Sequence, residues 1–494
     1  MRLPRAIARP LARLRAWEVT TRLSNPETRA ALARRWSALP ESVRTPSQVI
    51  GRAAVGCEGT QGVFPRCNLT CSPCYHSAGA NKVRVDGGHT LRQVTEQMAL
   101  LRRLRGPRAH AQLIGGEVSL LEPEAHAEAL LAMRAAGREP MSMTHGDFGP
   151  DYLEAVVTGP DGKLRLPRVS FAAHFDSLMR GRRGIPRPRR ESDLHEHRRA
   201  FAAMFQELRR RRGLRAYLAH TMTITSENLD QVAEVVQTVP AMGYSMMSFQ
   251  PAARVGDPRR WHDNDPGVSI DQVWRRIEDG VGHSINWDAL AFGHPQCNRT
   301  AFGLRVGERW IPLLDAESAS DLVLRDRYLA DYGPLQRDPD RPALVVLQTA
   351  RALLRHPRDV GTVLAWSSRL VDRCGGLPLL MGHLARREVK ILTFVVHAFM
   401  DASVVTPAWE QLQSGREADD PTIHEAQERL RACVYSMAHP ETGEIVPACV
   451  QHSVLDPDAN RHLAVLLPHP TLRSPLPGAD KVVAHSGTRT GATP

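Results

Sequence analysis

Residues 64–80 read FPRCNLTCSPCYHSAGA, and within them Cys67, Cys71 and Cys74 fall at C-x3-C-x2-C spacing. Three soft thiolate donors on one short loop, leaving a strand-like GVF, are the donor set of a metal site. Two metals fit the spacing. Three cysteines can hold three irons of a 4Fe-4S cube and leave the fourth iron open. With His76 as a further donor, the same loop can close around zinc. The spacing alone does not choose between them.

A second stretch bears on that choice. Residues 111–121, AQLIGGEVSLL, run from an apolar segment through a Gly-Gly turn to Glu117, and an amphipathic helix pattern follows, PEAHAEALLAMRAAG. The pattern predicts a strand, a backbone opened for close approach and a carboxylate at the strand end. Taken together, the two motifs lie about 40 residues apart with room for one βα unit between them. Over residues 60–260 the chain resembles the radical S-adenosylmethionine (radical SAM) superfamily.

The resemblance implies a 4Fe-4S cluster on Cys67, Cys71 and Cys74 whose open iron chelates the amino and carboxylate groups of SAM's methionine. Gly115, Gly116 and Glu117 would receive the same amino group. Thr223 and Asn228, in TITSENLDQV, match a region that contacts the ribose and carboxylate of SAM. Tyr75 and His174 complete the expected cofactor-binding set. Pro73 departs from the family, which often has an aromatic residue before the third cysteine; here Tyr75 follows it. The implied chemistry is reductive cleavage of SAM to methionine and a 5′-deoxyadenosyl radical that takes hydrogen from an unactivated carbon. Flavodoxin or ferredoxin would supply the electron.

From Val63 the sequence alternates strand and helix patterns. The candidate strands are GVFPRC, AQLIGG, EPMSMTHG, RVSFAAHF, RAYLAHTMTI and YSMMSFQP. Six βα units predict an α/β fold, a partial TIM-like (β/α)6 barrel with its site at the C-terminal ends of the strands. His145, His174, Asp176, Thr223, Asn228 and Gln250 fall at those ends, with Met141, Met143, Met222, Met246 and Met247 nearby. Two arginine-rich runs, RGRRGIPRPRRES and LRRRRGLR, read as solvated charged surface.

Five segments are expected: a basic helical extension (1–55), the barrel (56–260), a mostly helical region (261–400) that takes in VKILTFVVHAFMD, a small β region at 401–470, and a disordered tail beyond 470 rich in Ser, Pro, Gly and Thr. In the fourth, RLRACVYSMAHPETGEIVPACVQHSVLD predicts two strands joined by the ETGE turn. Cys297, Cys374, Cys433 and Cys449 remain once the first loop is assigned, and four thiolates suit an auxiliary 4Fe-4S cluster. Scattered buried cysteines are the plain alternative, and Cys57 reads as such a thiol. HPQC, FVVHAFMD and the C-terminal cysteine segment also resemble tetraether lipid synthase and its bacterial relatives, which join unactivated alkyl chains. This chain lacks their cysteine-rich N-terminal region. The resemblance implies a lipid or alkyl substrate; ribosomal-peptide modification is the alternative enzyme outcome, and a zinc-stabilised nucleic-acid-binding protein the alternative from another class.

Composition bounds these readings. The chain has 494 residues and a net charge of +11, but only four lysines, Lys82, Lys163, Lys390 and Lys481. Such arginine excess, beside abundant Ala and Pro, looks like the bias of a GC-rich genome. Aromatics are 5% and nowhere interleave with basic residues as a nucleic-acid stacking platform would. Eight cysteines are too few for a disulfide framework, and no signal peptide precedes them, so a reducing, cytoplasmic setting is expected. No apolar run nears the ~20 residues of a membrane-spanning helix. Residues 1–23, with Arg2, Arg5, Arg9, Arg13 and Arg15 among Leu3, Ile7, Leu11, Leu14 and Trp17, read either as a helix packed outside the barrel or as a peripheral contact with an anionic membrane.

Overall fold

The computed structural model describes residues 25–76, 78–255, 267–335 and 342–470. The expectations for residues 1–23 and for the tail beyond 470 lie outside them. One curled sheet organises the described chain, in the order β10-β9-β11-β8-β7-β5-β4-β3-β1-β12-β13. Its members are β1 (Cys57–Gly59), β3 (Ala109–Leu113), β4 (Arg138–Thr144), β5 (Arg168–His174), β7 (Arg215–Ile224), β8 (Met246–Pro251), β9 (Asn298–Val306), β10 (Arg309–Pro312), β11 (Val389–His397), β12 (Tyr435–His439) and β13 (Glu444–Pro447). The two-residue strands β2 (Thr70–Cys71) and β6 (Met179–Arg180) pair separately. From β11 through β12 every pairing is parallel. The antiparallel β9–β10 and β13 close the two edges. This is a partial, TIM-like α/β barrel.

Helices cover its outer face as βα connections require. They include α1 (Pro26–Ser37), α2 (Gly87–Arg105), α3 (Pro123–Ala135), α4 (Pro150–Val157), α5 (His195–Arg212), α6 (Val232–Thr238) and α7 (Ile270–Val281). The start of α2 is fixed by the Asp86 side chain, which accepts from the His89 N–H, and its end by Gly106 at φ 84°. The main core lies between sheet and helices, where Phe171, Phe175, Phe201 and Phe205 interlock. Strand alternation divides the methionines between two layers. Met222 and Met247 point outward into this core, whereas Met141, Met143 and Met246 point inward with Tyr217.

Two expectations are corrected. GVFPRC is not the first strand: β1 is Cys57–Gly59, and residues 63–67 form the extended loop after it. VKILTFVVH is not helical but forms β11, paired in parallel with β8. The expected β hairpin does form as β12 and β13, but β12 docks in parallel on β1 and joins the barrel sheet. The mostly helical stretch is real between β10 and β11, where α8 (Ala319–Arg327), α9 (Pro342–Arg355), α10 (Pro357–Arg373) and α11 (Leu377–Ala385) follow one another. After β11 come α12 (Ala402–Gln413), α13 (Pro421–Arg431) and α14 (Asp456–Leu466).

A buried ion pair ties β1 to β4. Arg138 Nε and Nη2 donate to Glu58 Oε2 and Oε1 at 3.0 and 3.1 Å, with both side chains fully buried. Burial pushes the Glu58 carboxyl up against the opposing pull of Arg138. Arg138→Met leaves that carboxyl unpaired and is expected to lower the unfolding free energy by ~3–5 kcal/mol in urea titrations, with much of the loss recovered when Glu58→Gln is added.

Candidate functional site

The loop after β1 carries the three cysteines to the mouth of the barrel. β2 pairs with β6, placing Cys71 opposite Met179, so the loop is clamped to the connection leaving β5. The Cys67 N–H donates to Asn81 Oδ1 at 3.0 Å. Tyr75 Oη donates to the Gly115 carbonyl at 3.3 Å, and His76 Nε2 lies 2.5 Å from the same oxygen. The Cys71 thiol is held well above its ordinary value, first by its hydrogen bond with Cys74, then by burial, then by the charges of Cys74, Asp176 and Cys67. A thiol whose ionisation is opposed by two neighbouring thiols belongs to a donor set suited to a cation.

These cysteines line a cavity of about 1140 Å³ that runs down the barrel interior. Its wall includes Met141, Met143, Tyr217, Met246, Val395 and Phe399, and its far end holds Arg168 and Glu139, an ion pair at 2.6 Å. That volume exceeds the usual range of small-molecule pockets, so cofactor and substrate can share it.

Gly115 and Gly116 line the cavity, but their missing Cβ atoms serve the chain itself. A Cβ on Gly115 would meet the Phe64 ring at 2.6 Å, and one on Gly116 the Arg66 carbonyl at 2.1 Å. The Gly116 and Glu117 N–H groups donate to the Phe64 and Arg66 carbonyls at 2.7 and 2.9 Å. Hence the GGE turn docks the cysteine loop onto the sheet. Glu117 is fully buried and its carboxylate accepts from Ser119 N, Thr144 Oγ1 and His145 N. Asn228 is likewise buried and spent: its Oδ1 accepts from Thr225 N, and its Nδ2 donates to Glu191 Oε1 and the Thr223 carbonyl. Neither side chain lines the cavity.

Tyr75, His174, Asp176, Thr223 and Gln250 do line it. His174 Nε2 sits 2.7 Å from Asp176 Oδ2 and 3.0 Å from Thr223 Oγ1. Burial alone would lower the His174 imidazole, but Asp176 outweighs it and the net shift is upward. Burial would raise the Asp176 carboxyl, yet His174 and the N–H groups of Thr223 and Leu178 hold it below its usual range. His145 reaches Asn68 Oδ1 from Nε2 at 2.8 Å, while its Nδ1 accepts from Asp147 N at 3.0 Å.

Four remaining cysteines were expected to share a second site; three of them, Cys297, Cys433 and Cys449, lie near enough to influence one another's ionisation. Burial raises the Cys449 thiol, and Cys433 and Cys297 are the next largest causes. The Cys297 thiol, just before β9, accepts from Arg429 Nε at 3.1 Å. Cys374 is a correction. It packs with Val306 and Ile311, at the opposite end of β9, some nine residues or about 30 Å of extended strand from Cys297.

Sequence reasoning passed over other residues. Arg182, read as part of a solvated loop, is 2% exposed with its guanidinium 4.7 Å over the Phe175 ring. Its Nη2 reaches the His174 carbonyl, while Nε and Nη1 are buried with no hydrogen-bond partner among the described residues. His452 lines the cavity, with Nδ1 2.6 Å from Asp456 Oδ2 and its ring 4.5 Å from that of Tyr75. A buried Arg leaves no trace in a charge run, but QHSVLD, with His and Asp four residues apart, does carry the spacing of a helical pair.

Fold and site thus define an α/β half-barrel with a three-thiol loop at its mouth. No protein-family model and no curated protein matches the sequence. Among solved structures, the chain is similar to SuiB of Streptococcus suis, at 13% identity over 41% of each chain and a TM-score of 0.27. A structure of SuiB bound to precursor peptide SuiA matches at 12% identity over 40% of this chain and 39% of that one, TM-score 0.27. One of anSMEcpe with bound AdoMet matches at 11% over 46% and 62%, TM-score 0.30. The chain spans about two fifths of the length of SuiB. At that extent the site's own geometry carries the functional reading.

Proposed function

We propose that this chain is a radical SAM enzyme acting on an unactivated carbon of an alkyl or lipid chain. The observation that carries the reading is the convergence of Cys67, Cys71 and Cys74 at the mouth of a large, mostly apolar barrel cavity, docked there by the Gly115–Gly116 turn. Cys67, Cys71 and Cys74 would hold a 4Fe-4S cluster, which, with flavodoxin or ferredoxin as the electron source, would supply reductive cleavage of SAM to methionine and 5′-deoxyadenosyl-based hydrogen abstraction from substrate.

The chain's own residues do the rest. Tyr75, His174 and Thr223 present ring faces and hydrogen-bonding groups to the cavity beside the cysteines. The Gly115 carbonyl is engaged by Tyr75 and His76, and Glu117 holds the turn from behind. Met141, Met143, Met246 and Phe399 exclude water along the bore. Cys297, Cys433 and Cys449 would hold an auxiliary iron–sulfur cluster, with three protein thiolates rather than four, which would supply one-electron redox chemistry beyond the first site. We place the protein in the cytoplasm with peripheral access to membranes; no described helix is long and apolar enough to cross one.

The test is isotopic. Reconstituted protein, SAM, dithionite and vesicles of phospholipid with perdeuterated acyl chains should give deuterium-labelled 5′-deoxyadenosine. Label arriving only from a deuterated peptide would replace the alkyl reading with the peptide-modifying one.

A further inference from the structure

Between β10 and β11 the chain builds a layer of helices whose outward side is apolar. On α9, Val346, Leu347 and Leu354 are exposed, Val346 to 68% and Leu354 to 83%. On α10 they are Val360 and Leu364, and on α11 Leu377, Leu379, Met381 and Leu384. The spacing within each helix, four residues for Val360 and Leu364 and four then three for Leu377, Met381 and Leu384, puts each set on one stripe. The elements are continuous: α9 packs on α10, α10 on α11, and α11 on β11, whose Ile391 is also exposed. Isolated exposed apolar residues need no explanation, but ten on adjoining elements mark an interaction surface.

Its charge selects the partner. Residues 342–391 hold eight arginines and lysines against three carboxylates. Two of the three, Asp359 and Glu388, face Arg327 and Arg386, and Arg369 and Arg373 are paired with Asp321, which leaves the excess charge on the exposed cations. Arg355, Arg358, Arg386, Arg387 and Lys390 stand exposed beside the leucines and valines. A second copy would bring the same positive face against itself, at a repulsive cost. The exposed residues are also aliphatic, whereas protein interfaces centre on aromatics. The one tryptophan here, Trp366, donates its indole N–H inward to the Leu313 carbonyl. Aliphatic side chains rimmed by arginine and lysine are the pattern of a surface that lies in the headgroup layer of an anionic bilayer.

The patch also reaches the barrel. Val345 and Val346 of α9 both line the central cavity, and Val346 is at the same time on the outer surface. We infer that α9–α11 dock the protein on an anionic phospholipid membrane, with α9 forming the apolar threshold between bilayer and cavity. This differs from a contact through residues 1–23, and it needs no turnover, so it stands or falls apart from the radical reading.

The test is flotation of the full chain with vesicles of phosphatidylcholine, with and without phosphatidylglycerol, compared with Leu354→Glu/Leu364→Glu/Met381→Glu. Wild type should float with the anionic vesicles, less so as salt rises. The triple variant should partition at least about tenfold less, with unchanged circular dichroism and melting. Arg355→Glu/Arg358→Glu should lose the preference for phosphatidylglycerol. The inference is overturned if wild type stays in solution, if the folded triple variant floats equally well, or if light scattering shows a wild-type dimer that the triple variant breaks while neither floats.

Discussion

Cys71→Ala is expected to abolish both the iron–sulfur absorbance of the first site and the formation of 5′-deoxyadenosine. Cys71 sits in β2, the pairing that fixes the loop, and its thiol interacts with Cys74 and Cys67. A cube with one open iron needs all three thiolates, so deleting one removes the ligand set rather than weakening it. The fold should survive, because the loop's backbone clamps, from Cys67 N to Asn81 and from Gly116 N to the Phe64 carbonyl, do not use the Cys71 side chain. Melting near wild type with no deoxyadenosine, above the trace made without enzyme, is the expected pair of results. Retained deoxyadenosine would overturn the assignment of the loop.

The second large effect separates Cys433 from Cys374. Cys433→Ala should lower the iron content by about one cluster, roughly four irons, while the first site still cleaves SAM. Cys374→Ala should leave the iron content unchanged and cost only packing, about 1–2 kcal/mol for a small buried side chain among Val306 and Ile311. Were both variants to lose iron equally, the geometric division between the two cysteines would be wrong.

Much of this could be read in advance because barrel strands announce themselves locally. EPMSMTHG, RVSFAAHF, RAYLAHTMTI and YSMMSFQP each place an apolar, β-rich run before a polar strand end. The cysteine loop and GGE turn are likewise contiguous. What escaped is non-local. β11 is a nine-residue, largely apolar stretch whose period does not tell strand from helix, and its partner β8 lies some 140 residues earlier. β12 joins β1 across almost the whole chain. GVFPRC has strand composition but is held by bonds from the GGE turn, outside the ladder. The same limit applies to side chains. Glu117 and Asn228 sit where cofactor contacts were expected, yet N–H and hydroxyl donors consume the Glu117 carboxylate, and Thr225 N, Glu191 and the Thr223 carbonyl consume the Asn228 amide. Arg182, by contrast, leaves its charge run to become buried beside Phe175.

The central claim is that Cys67, Cys71 and Cys74 hold a cluster that cleaves SAM. The most direct measurement is anaerobic reconstitution with iron and sulfide counting, followed by incubation with SAM and dithionite and quantification of 5′-deoxyadenosine. The account predicts a brown protein with at least about four irons and near-equal sulfide, releasing deoxyadenosine and methionine in equal amounts. A colourless protein with one tightly held zinc and no deoxyadenosine would contradict it.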